Sequence, residues 1–239
     1  MRRLLLAFAI VSILACPATT RAANGLVDMT WDGCTGPVDK TPAPADFLSL
    51  FVTVSGMDQA HRAYDVRFLY GNASQEVPDA WRFDAEGCQT NARIQQDFAS
   101  KECPSFAQET DSSATIRAVG FVPPTDAYAI TLMRVIFAHA YAPGNAVDPA
   151  TRHLLERIQF DLNDAVAGPG TATTCGGFEQ AICFAITHAT FLDLDRNEVP
   201  FVRARTPLTV SFNGPIATCP GVVPVRPETW GSIKSQYRN

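Results

Sequence analysis

The side chains that could do chemistry in this 239-residue chain fall into four sets: an acidic turn, four histidines, spaced carboxyl pairs and a group of large aromatics. Asp193, Asp195 and Asn197 put oxygen donors at positions 1, 3 and 5 of a calcium loop. Position 6, which such a loop needs as glycine, is Glu198, and position 12 is Ala204, so an EF-hand-type loop is excluded. The plainer reading of Asp193-Leu194-Asp195-Arg196-Asn197 is a hairpin turn with Asn197 in a left-handed conformation. Calcium on Asp193, Asp195 and Asn197 is the only cofactor the sequence offers, and no cofactor is the expectation.

His61, His139, His153 and His188 carry no nucleophile motif around them, and no Gly-x-Ser-x-Gly occurs. His139 and His188 fall where the polar face of a strand is expected, so surface or internally satisfied imidazoles are the default. Glu156 with Asp161, and Asp193 with Asp195, could form a general acid and base only if a cleft brought them about 5–10 Å apart. Acidic pairs along a strand more often make a solvated face. Trp31, Trp81, Trp230, Tyr64, Tyr70, Tyr128, Tyr141 and Tyr237 could build a sugar-stacking platform, although Trp31 and Trp81 sit in strand-like alternation and read as core. No catalytic residue is assigned.

Seven cysteines minus Cys16 leave Cys34, Cys88, Cys103, Cys175, Cys183 and Cys219. No Cys-x-x-Cys occurs and no histidine lies within four residues of any of them, which argues against zinc. An even set in an exported chain reads as disulfides. Of the fifteen connectivities, Cys88–Cys103 and Cys175–Cys183 would close short turn-rich loops and Cys34–Cys219 would tie the ends.

Export is read from the N-terminus. Arg2 and Arg3 precede a twelve-residue apolar run, residues 4–15, too short to span a membrane, and Thr20-Arg21-Ala22 suits cleavage after Ala22, with Ala18 and Ala23 as alternatives. Residues 1–22 are thus a signal peptide. Ile13-Leu14-Ala15-Cys16 matches a lipobox only loosely. Cleavage after Ala22 removes three arginines and moves the net charge from −5 to −8, which disfavours nucleic acid and anionic lipid. No later apolar run reaches 18 residues, so the chain is not expected to be transmembrane. A secreted, periplasmic or cell-surface location follows.

The elements that must hold these residues read as strands. Residues 26–31, 47–54 and 63–70 alternate or run β-type and stop at Gly, Asn or Ser. Residues 115–122, 129–141, 154–162, 182–192 and 206–212 continue the series. Residues 91–100, with Ile94 and Phe98 four apart, suit a short helix. Eight or nine strands with hardly a helix define an all-β single sandwich over residues 24–219, and 46% hydrophobic content is enough to fill it. Residues 220–239 read as a Pro-rich linker and a short tail.

The strands carry a resemblance. Phe51-Val52-Thr53-Val54-Ser55-Gly56 followed by Ala63-Tyr64-Asp65-Val66-Arg67-Phe68-Leu69-Tyr70 resembles the early strands of cohesin-like domains, a group with immunoglobulin-like sandwiches. Leu154-Leu155-Glu156-Arg157-Ile158-Gln159-Phe160 is similar to their L-x-x-I-x-F strand. Phe191 through Pro200, then Leu208-Thr209-Val210, is similar to their closing hairpin. Trp31-Asp32-Gly33-Cys34, Cys175-Gly176-Gly177 and Ile182-Cys183-Phe184 also resemble uncharacterised exported bacterial proteins. The resemblance covers about residues 26–213. It implies a nine-stranded, jelly-roll-like sandwich whose first and last strands lie side by side, which suits a Cys34–Cys219 bridge. The disulfide set departs from cohesins, and no binding residue transfers. The function expected is non-catalytic: protein–protein contact with an extracellular or envelope protein in adhesion or scaffolding. The alternative is a carbohydrate-binding module recognising polysaccharide, and a secreted hydrolase is the third reading.

Overall fold

A computed structural model describes residues 24–41, 47–72, 77–84, 87–89, 93–95, 103–106, 112–122, 132–145, 147–162, 175–205, 208–215 and 219. The signal peptide and the C-terminal tail read from the sequence lie outside the described residues. So do Tyr128, Trp230 and Tyr237.

Strand follows strand: β1 (Asn24–Trp31), β2 (Asp39–Lys40), β3 (Phe47–Met57), β4 (His61–Gly71), β5 (Arg93–Gln95), β6 (Ser112–Val122), β7 (Leu132–Asn145), β8 (His153–Asp161), β9 (Ile182–Asp193), β10 (Glu198–Pro200), β11 (Val202–Arg203) and β12 (Thr209–Phe212). One 3₁₀ turn, Asp79–Trp81, interrupts the series. Among the described residues there is no α-helix. The expected helix over 91–100 is corrected: Arg93–Gln95 is strand, because Ile94 pairs with Ile158 on β8, and tertiary pairing overrides a weak local pattern.

The smaller sheet has the order β11-β1-β3-β8-β5 and the larger one β2-β12-β9-β4-β7-β6, with β10 attached to β9. Apolar side chains of alternate positions meet between them. Val27, Met29 and Trp31 of β1 and Leu48, Leu50, Val52 and Val54 of β3 pack against Tyr64, Val66, Phe68 and Tyr70 of β4 and Met133, Val135 and Phe137 of β7. The resemblance had implied that the first and last strands lie side by side in one sheet; they do not pair. β1 lies in the smaller sheet and β12 in the larger, joined across the core by the Trp31 indole N–H donating to the Ser211 carbonyl at 2.8 Å.

The six cysteines form three bridges, but every expected pairing is corrected. The pairs are Cys34–Cys103, Cys88–Cys175 and Cys183–Cys219, with Cα atoms 6.1, 6.0 and 5.5 Å apart. They span 69, 87 and 36 residues of sequence, so none closes the short loops the spacing had suggested. Cys183–Cys219 ties a connecting segment to β9, and the other two bridges each join two connecting segments. Cys34 and Cys103 pack on Phe51 and Leu154 outside the smaller sheet, and Cys183 and Cys219 on Leu69, Leu132 and Ala185 outside the larger one. Among the described residues, no helix is long and apolar enough to cross a membrane.

Candidate functional site

The solvent face of the larger sheet holds a hollow of about 410 Å³ between β4, β7, β9 and β10. Its shape follows from cross-strand rows. Ala63 on β4 sits opposite Ala140 on β7 and Leu192 on β9; Asp65 sits opposite Ala138 and Thr190; Arg67 sits opposite Ile136 and His188. Neighbours on one sheet face stand only about 5 Å apart, so alanines in a row of longer side chains leave a depression. Ala63, Ala138 and Ala140 form its floor, and Asp65, Arg67, His188, Thr190 and Glu198 its polar rim.

A bulge sets which side chains reach that rim. The pairing of β4 with β9 shifts between Arg67 and Phe68, leaving Thr187 as the extra residue. Phe184 and Ile186 point inward before it, Ala189 and Phe191 after it. The shift therefore carries His188 and Thr190 to the outer face. His188 Nε2 lies 3.1 Å from the Thr190 hydroxyl, 3.6 Å from Glu198 Oε1 and 3.8 Å from Asp65 Oδ2. Arg67 donates through Nε to both oxygens of Asp65, at 3.1 and 3.0 Å, and this bond raises the guanidinium pKa. Two carboxylates against one guanidinium leave the rim acidic. Both acids and the hydroxyl converge on the same imidazole nitrogen, whereas a nucleophile triad needs hydroxyl and acid on opposite nitrogens. The rim therefore does not form a nucleophile triad.

A second hollow, about 610 Å³, lies among Val77, Pro78, Asp79, Arg82, Phe121, Gly176, Gly177 and Gln180. Its cation is already engaged: Arg82 pairs with Asp79 at 2.9 Å and Asp84 at 2.5 Å and stacks 5.3 Å over the Phe121 ring.

The acidic turn is the β9–β10 hairpin. Asp193 accepts from the Asn197 amide at 2.8 Å and from the Asn197 side chain at 2.9 Å, which lowers its carboxyl pKa. The left-handed residue is Arg196, φ 70°, not Asn197 as expected. Asn197 is needed for its side-chain N–H, and the chain reverses one residue earlier. Among the described residues, no group of three or more His, Cys, Asp or Glu side chains is arranged to hold a metal.

Two other expected placements are corrected. His139 does not lie on a polar face: it is 2% exposed and its Nε2 sits 3.4 Å from Glu156 Oε2 across the core. Glu156 is fully buried rather than solvated, because it shares strand parity with Ile158 and Phe160, which fill the core. Trp31 and Trp81 are buried, as their strand-like alternation indicated, and Tyr64 and Tyr70 are buried with them, so none of the four contributes to an aromatic platform. Asp65 and Glu198 were not singled out from the sequence. Their signal was present as parity: Asp65 alternates against Tyr64, Val66 and Phe68, which marks the outer face.

No family model and no curated protein matches the sequence. The chain is a disulfide-braced β-sandwich similar to solved cohesin structures. A type II cohesin domain from the cellulosome of Acetivibrio cellulolyticus shares 9% identity over 80% of this chain and 95% of its own, with a TM-score of 0.41. A non-cellulosomal cohesin from Archaeoglobus fulgidus shares 10% over 78% and 89%, TM-score 0.34. A type I cohesin–dockerin complex from Clostridium thermocellum gives 7% over 80% and 95%, TM-score 0.34.

Proposed function

We propose that the chain is an exported, non-catalytic module that binds another protein through the outer face of its larger sheet. The alanine-floored hollow with its acidic rim carries this reading. It has the size to accept one or two projecting side chains, and Asp65 and Glu198 favour a partner that presents a cation there. Export is supported by the basic and apolar N-terminus and by three disulfides, which persist in oxidising compartments. Carbohydrate binding receives less support, since the described tryptophans and two of the tyrosines are committed to the core.

The test is co-purification from the extracellular and envelope fractions of the native organism, using the mature chain and its Ala138→Arg variant as baits. Arg at 138 fills the hollow and offers Asp65 a cation from the chain itself. The expected result is a protein retained by the parent and lost by the variant. Equal capture by both would move the contact to another surface, and recovery of polysaccharide alone would replace the reading with sugar binding.

A further inference from the structure

One end of the sandwich interior is polar and is closed by a tethered segment. Residues 103–106 run along the edge of β8 in the smaller sheet, with Ser105 bridged to Leu154, and are fixed at one end by the Cys34–Cys103 bridge. They dock on β8 through two backbone bonds, Leu154 N–H to the Pro104 carbonyl at 2.8 Å and Phe106 N–H to the Leu154 carbonyl at 2.7 Å. Phe106 then turns inward and is 1% exposed. Its ring lies flat on His61, centroids 4.2 Å apart at 18°, and edge-on to Tyr64, His153 and Phe201. Behind it His139 and Glu156 meet across the core.

We propose that residues 103–106 form an acid-released plug: protonation of His61 expels Phe106 from the end of the sandwich, while Cys34–Cys103 keeps the segment attached. His61 is fully buried against an aromatic ring, so its charged form loses hydration that only opening restores. Desolvation, opposed by a hydrogen bond with the Gln59 backbone and aided by a smaller contribution from the neighbouring His153 charge, lowers its pKa from 6.5 to about 4. The other charged and titratable groups of the elements packed at this end are Arg62 and Tyr64 on β4, His139 on β7, Glu156 and Arg157 on β8, and Asp193, opposite His61 in register on β9. Asp148 precedes β8 and holds its carboxylate on the Ala150 amide and the Thr151 hydroxyl; Glu198 and Arg203, on either side of Phe201, are exposed. Release would present Phe106 as an apolar tip on a covalent tether, displayed more often in acid than at neutral pH.

The experiment is residue-resolved amide hydrogen exchange on the mature, oxidised protein at pH 7 and pH 5, corrected for intrinsic exchange. With His61 titrating normally in the open form, opening at the Phe106 and Leu154 amides rises about 20-fold at pH 5. The Trp81 and Gln89 amides, at the other end, stay unchanged. His61→Phe keeps the stack and abolishes the rise; Phe106→Ala gives fast exchange at Leu154 at both pH values. An equal rise at both ends is global acid unfolding and overturns the proposal, as does a rise that survives His61→Phe. If His61→Phe does not fold, a Phe106→Ala protein that retains the pH response of Leu154 overturns it as well.

Discussion

The two ends of the sandwich interior are filled by different means. At one end Trp31, Trp81, Tyr70, Phe160, Phe178, Phe184 and Phe212 interlock edge-to-face or stacked, with Trp81 on Phe178 at 5.6 Å and on Phe212 at 4.9 Å. Polar side chains there are paired with the main chain: the Tyr70 hydroxyl donates to the Trp81 carbonyl at 2.7 Å, and Gln89 donates to the carbonyls of Ala80 and Asp161 and accepts from the Asp161 amide at 2.8 Å. Cys88–Cys175 holds the covering segments down. At the other end His61, Tyr64, His139, His153 and Glu156 are buried, with Phe106 stacked on His61 and edge-on to Phe201. Aromatic packing is indifferent to pH, whereas buried imidazole and carboxylate groups tie stability to proton activity. One end is a staple, the other a condition.

The comparison can be broken at its strongest point. Trp81→Ala removes one of the two indoles of the aromatic end and should cost about 4 kcal/mol in urea denaturation, equally at pH 5 and 7. A loss below about 1.5 kcal/mol would mean that this end is not the staple. Glu156→Leu strips the buried imidazole of His139 of its acid and should cost about 3 kcal/mol. The double variant His139→Leu with Glu156→Leu should recover part of that loss, and strict additivity of the two changes would dissolve the pair.

The pH dependence sharpens the contrast. His61 has its folded pKa lowered to about 4 from 6.5, so the unfolded chain binds more protons between those values. Stability is therefore intact above 6.5 and falls as pH drops towards 4, by about 3 kcal/mol from this residue. His61→Phe should flatten that slope in denaturation midpoints taken from pH 7 to 4. The smallest effect belongs to the surface: Lys40→Ala breaks the exposed pair with Asp32 and should change stability by less than about 0.5 kcal/mol, measurable as an unshifted melting temperature.

Parity made much of this legible. His139 lies in step with Met133, Val135 and Phe137, and Glu156 in step with Ile158 and Phe160, so alternation alone assigns both to the apolar face. Reading their polarity instead of their position sent them to the surface. His61 was not legible in that way. It is out of step with Tyr64, and the register shift between His61 and Ala63 turns it inward. His188 reaches the outer face through a similar shift. A bulge inserts one residue and inverts the parity beyond it, and only the partner strand reveals it.

By itself the sequence determined an all-β chain, its strands and an even cysteine set suited to bridging, because hydrophobic alternation and composition are local properties. It also determined that Trp31 and Trp81 belong to a core. The tertiary structure decided what depends on which strands meet: the three bridges, the separation of β1 and β12 into opposite sheets, the pairing of His139 with Glu156, and the alanine-floored hollow beside Asp65. Each of these joins residues distant in sequence, and their contact is fixed by sheet order and register rather than by any feature of the segments themselves.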